Sequence, residues 1–106
     1  HNIMIGEIPH FDIHDNGFLE SKHGPVIDTD AFYKRMIDFI DFNMKSNYEI
    51  NILCYFVDSD GTTMEAKLEK GGYKKSLLMS LQYYKEQEEY ETCEKVTNLI
   101  KEYELQ

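Results

Sequence analysis

Between residues 73 and 103 apolar side chains recur at steps of three and four: Tyr73, Leu77, Leu78, Leu81 and Tyr84, then Tyr90, Cys93, Val96 or Thr97, Ile100 and Tyr103. A 3.6-residue period of this kind belongs to helices that turn one face to a core. The two stripes slip out of phase near Gln87, and one helix of about thirty residues would be long for a compact domain, so the pattern predicts two helices folded back on each other. No Gly or Pro marks the join, which leaves a single long helix as the alternative. Gly71 and Gly72 permit a sharp entry into the first helix.

The order Leu77, Leu81, Tyr84, Tyr90-Glu91, Cys93, Val96, Asn98, Ile100 resembles the UVR-type helical hairpin. Glu94, Thr97 and Asn98 depart from it where that pattern has a second Ala and an Arg-Asp pair. The resemblance covers less than a third of the chain. It implies a two-helix unit that contacts other proteins.

Upstream, residues 3–8 offer a short strand broken by Gly6, ending at Pro9. Phe11 and Ile13 alternate with polar neighbours, Asp15-Asn16-Gly17 is a turn signal and Phe18 opens a return strand, so residues 10–21 predict a hairpin, with loop over 21–26. Asp28 or Thr29 can cap a helix in which Phe32, Tyr33, Met36, Ile37, Phe39, Ile40 and Met44 are apolar. That face is too wide for one partner and predicts a sheet on one side and a second element on the flank. Residues 48–57 read as a central strand, residues 58–61 as a turn, and residues 62–68 as its antiparallel mate. The expected architecture is α+β: a three- or four-stranded antiparallel sheet of two β-hairpins, packed by one central helix, with a C-terminal two-helix hairpin. Residues 1–106 then form one domain, a core at 1–70 and the helical hairpin at 73–104.

A chain of 106 residues buries roughly 60–65% of its unfolded surface. With 42% hydrophobic residues and two prolines it is composed like a folded protein. Cys54 and Cys93 sit in apolar patterns, as buried small hydrophobes do, and no run approaches bilayer length. A reducing cytoplasm is therefore the expected setting. The net charge is −9, which disfavours direct contact with nucleic acid and favours a basic protein partner. Eleven of the twenty acids but four of the eleven bases lie in residues 1–60, which places the acidic surface mainly in the first half.

Three motifs carry possible chemistry. Asp58-Ser59-Asp60-Gly61-Thr62 after a hydrophobic strand resembles the nucleophile motif of haloacid-dehalogenase-type phosphatases, which implies Asp58 as nucleophile, Asp60 as acid/base and Mg²⁺ between them. The alternating residues 62–68 predict a hairpin turn there instead, and Phe56 and Lys67 stand where a calcium loop needs acids. His10-x-Asp12-x-His14 places three metal-ligand types on one face of a strand, with His23 or Asp15 to complete a divalent-metal shell. Four lysines around Gly71-Gly72 (Lys67, Lys70, Lys74 and Lys75) suggest an anion cradle or a solvated patch. No Ser/His/Asp or Cys/His arrangement points to nucleophilic catalysis.

The expected function is that of a small acidic, non-catalytic module that binds a protein partner, with no cofactor and no membrane contact. Tyr83, Tyr84 and Tyr90 are the expected aromatic contacts, and Asp12, Asp15, Asp28, Asp30, Asp38 and Asp41 the acidic ones. The same carboxylates, set in a row, would imitate DNA phosphates. A metal-binding protein or metalloenzyme using His10, Asp12 and His14 is the reading from a different class. A homodimer is expected if Tyr83, Tyr90 and Leu99 share an exposed side.

Overall fold

A computed structural model describes residues 7–14, 26–47 and 49–106. The elements run β1 (His10–Asp12), α1 (Thr29–Lys45), β2 (Ile52–Val57), β3 (Thr63–Lys67), a 3₁₀ turn (Lys70–Gly72), α2 (Tyr73–Glu86) and α3 (Tyr90–Leu105). The protein is α+β, with a C-terminal two-helix hairpin.

The sheet departs from expectation. Among the described residues it has three strands in the order β1-β2-β3 and is mixed: β1 runs parallel to β2, with Phe11 opposite Phe56, and β3 is antiparallel. Alternation at residues 10–14 announces a strand but not its partner, and β1 pairs in parallel with the central strand across α1. The expected turn at 15–17 and return from Phe18 lie outside the described residues, as does most of the expected strand at 3–8. Ile13 bridges antiparallel to Val26, and the Ile27 amide donates to the Asp12 carbonyl at 3.0 Å, in a segment expected to be loop.

α1 is the middle layer. The Asp28 side chain caps it by accepting from the Ala31 amide at 3.1 Å. Phe32 meets Phe11 and Phe56 of the sheet at ring separations of 5.6 and 5.9 Å. On the other flank Tyr33 stacks on Tyr83 at 4.9 Å, and Phe39 meets Tyr73 edge-on at 6.5 Å. The wide apolar face thus has the two partners its width demands. Cys54 and Cys93 are buried and unbridged.

Arg35, mostly buried, serves an irregularity in β2. The β2–β3 register shifts between Ile52 and Cys54, a step that brackets Leu53 and its carbonyl. Arg35 Nε donates to that carbonyl at 2.7 Å, and its guanidinium lies 5.3 Å from the centre of the Phe39 ring. Burial lowers its pKa, but arginine remains charged at any working pH.

β2 starts later than its hydrophobic run because Asn43 takes hold of Ile50. Asn43 Nδ2 donates to the Ile50 carbonyl at 2.7 Å and to the Tyr73 hydroxyl at 3.0 Å, while Oδ1 accepts from the Ile50 amide at 3.1 Å. One amide thereby ties the end of α1 to the approach to β2 and to α2. Asn43→Ala leaves backbone groups of Ile50 without these partners and is expected to cost about 1–3 kcal/mol. A urea midpoint equal to that of the wild type would show that water replaces the amide.

The helices break where the stripes slip. The Glu88 amide donates to the Lys85 carbonyl and the Glu89 amide to the Tyr84 carbonyl, a Schellman arrangement, with Glu88 left-handed at φ 59°. Glycine takes this conformation without steric cost. Glu88→Gly is expected to stabilise by about 0.5–1 kcal/mol, the relief exceeding the added chain entropy. A lower melting temperature for that variant would show that the Glu88 side chain contributes something glycine cannot.

Candidate interaction surface

α1 and α3 lie side by side in the same direction: Lys95 Nζ is 3.5 Å from Asp38, and Lys45 Nζ is 3.7 Å from Glu102, one pair further along both helices. Along α1 the outward residues are Asp30, Lys34, Asp38, Asp41 and Lys45, in which Lys34 pairs with Asp30 at 3.2 Å and Lys45 with Asp41. These are the i,i+4 partnerships of a solvent-facing helix. Hydrogen bonds to Asp30 and Asp41 raise the pKa of Lys34 and Lys45, so both stay protonated.

Between the helices runs a groove of about 360 Å³, rimmed by Asp41, Glu91, Glu94 and Glu102 with Lys45, Lys95 and Asn98, and floored by the buried Leu99. Its two lysines are already engaged with carboxylates. Among the described residues Glu91 and Glu94 have no cation within ion-pair distance, so the rim carries a net negative charge. Sequence reading placed the acidic surface in the first half and overlooked the contribution of α3. Its signal was available: Glu91, Glu94, Lys95, Asn98 and Glu102 fall on one helical stripe, with Leu99 at its edge and Cys93 opposite.

The expected contact residues divide. Tyr83 and Tyr84 are buried against α1, so neither offers its ring to a partner; this corrects their assignment as surface contacts. Tyr84 lies on the apolar stripe itself, and Tyr83, one position before it, is buried where Tyr33 of α1 stacks on that flank. Tyr90 is 68% exposed, whereas Leu99 is 2% exposed, so no shared apolar side of Tyr83, Tyr90 and Leu99 exists for self-association. Asp28 is engaged in the α1 cap, and Asp30, Asp38 and Asp41 each face a lysine. These carboxylates are therefore interleaved with cations rather than set in a bare row. Asp15 lies outside the described residues.

A second concavity, of about 370 Å³, opens where the parallel strands β1 and β2 end together, lined by Asp12, His14, Asp58 and Ser59 with Ile13, Ile27 and Val57. Asp12 and His14 meet there, but His10 does not join them: its ring stacks on Tyr55 at 5.0 Å on the open face of the sheet. Among the described residues no three His, Cys, Asp or Glu side chains are placed to hold a metal ion. His23 and Asp15, the suggested further ligands, lie outside the described residues.

Asp58 and Asp60 build a turn. Asp58 Oδ1 accepts from the amides of Asp60 and Thr62 at 3.2 and 3.0 Å, and Asp60 Oδ1 accepts from the Thr62 amide and hydroxyl at 2.9 and 2.6 Å. Hydrogen bonding with Asp58 and then with Thr62 depresses the Asp60 carboxyl to about 2. Gly61 occupies the left-handed position at φ 89°. The chain then enters an antiparallel strand, not the helix that the phosphatase motif precedes.

The lysines near Gly71 and Gly72 disperse in the same way. Lys67 pairs with Glu65 and Lys74 with Glu104, while the Tyr103 hydroxyl donates to the Lys70 carbonyl at 3.1 Å. Among the described residues no helix is long and apolar enough to cross a membrane. Comparison with family models, with curated proteins and with solved structures returned no match for this chain.

Proposed function

We propose that this chain is a non-catalytic binding module that receives a basic segment of another protein along the α1–α3 groove. The observation that carries the reading is the rim itself. Among the described residues Glu91 and Glu94 stand without cations beside a groove whose lysines are already paired, in a chain of net charge −9. A lysine- or arginine-bearing segment would supply the missing positive charge and gain both attraction and orientation from it. Charges in such an open site are screened over about 8 Å at physiological ionic strength, so binding should weaken as salt rises.

The test compares the wild type with Glu91→Lys/Glu94→Lys in capture from lysate at low and high salt. Wild-type protein is expected to retain a basic protein at low salt that the double variant binds about tenfold or more weakly. Equal capture by both would remove the groove from the reading. The two positions are exposed, so the variant is expected to keep the wild-type melting temperature.

A further inference from the structure

We draw no further inference here: the strongest candidate, the concavity at the carboxyl ends of β1 and β2 lined by Asp12, His14 and Asp58, is a small cluster of acidic and imidazole groups with nothing in the structure that points to a ligand, and among the described residues no three such groups converge on a metal position.

Discussion

Replacing Tyr84 by alanine is expected to cost about 3–5 kcal/mol, the range for deleting a buried aromatic ring. The Tyr84 side chain is wholly buried where α1 crosses the helical hairpin, edge-on to Tyr83 at 4.9 Å, with its hydroxyl 3.4 Å from the Asp30 carbonyl. The neighbouring Tyr83 is itself stacked on Tyr33, which holds its ring in place. Against a typical total stability of about 5–15 kcal/mol, the loss is a large fraction of what holds the chain together. Tyr84→Phe separates the ring from the hydroxyl. At 3.4 Å that hydrogen bond is long, so phenylalanine is expected to cost less than about 1 kcal/mol. Urea unfolding of the two variants measures the difference. Equal losses would mean that the hydroxyl, not the ring, is what the site needs.

Raising the pH is expected to unfold the protein earlier than its acidic composition suggests. Burial is the main cause of upward pKa shifts at Tyr33, Tyr73, Tyr83 and Tyr84, and it pushes the Cys54 thiol up to about 11. Each of these groups is neutral when protonated and resists ionising inside the fold. The unfolded chain ionises its thiols near pH 8.5 and its tyrosines near pH 10. Their contribution is therefore fully present below about pH 8.5 and is lost as pH climbs through the folded values. Cys54 alone accounts for roughly 2–3 kcal/mol by pH 11, and the tyrosines add to it in the same direction. Circular dichroism and tyrosinate absorbance, followed together from pH 8 to 12, check this. The prediction is that Tyr33, Tyr73, Tyr83 and Tyr84 titrate with the loss of structure, in one steep step. A smooth titration centred near pH 10 with the fold intact would refute it.

Much of this architecture was legible in the residues, and the parts that were not share a cause. Local signals spoke clearly. Asp28-Thr29 announced a cap for α1, which Asp28 supplies, and the breadth of the helix's apolar face announced two packing partners. The slip between stripes announced a break at Gln87 even without glycine, and Asp58 to Gly61 announced a turn. What stayed hidden depends on contacts between distant segments. Phe11 carries no mark that it will pair with Phe56, because side chains in parallel and antiparallel strands alternate alike. Tyr83 reads as surface on its own helix and becomes core only when α1 is laid across it. The groove was half legible: the i,i+4 pairs of α1 follow from spacing, but the alignment of Asp38 with Lys95 and Lys45 with Glu102 belongs to the packing of two helices.

The parallel pairing of β1 with β2 also orders events in time. The β2–β3 turn and the α2–α3 turn each join neighbours across a few residues, and short loops of this size close in well under a microsecond. His10 reaches Tyr55 only after the whole of α1 has been laid down between them, and the entropy of closing so long a loop must be met before any ladder bond forms. β1 is thus expected to be the last strand collected and the first to leave. Its amides, in a three-residue ladder with β2, should exchange with solvent ahead of those of β2, so that the youngest contact is also the most often broken.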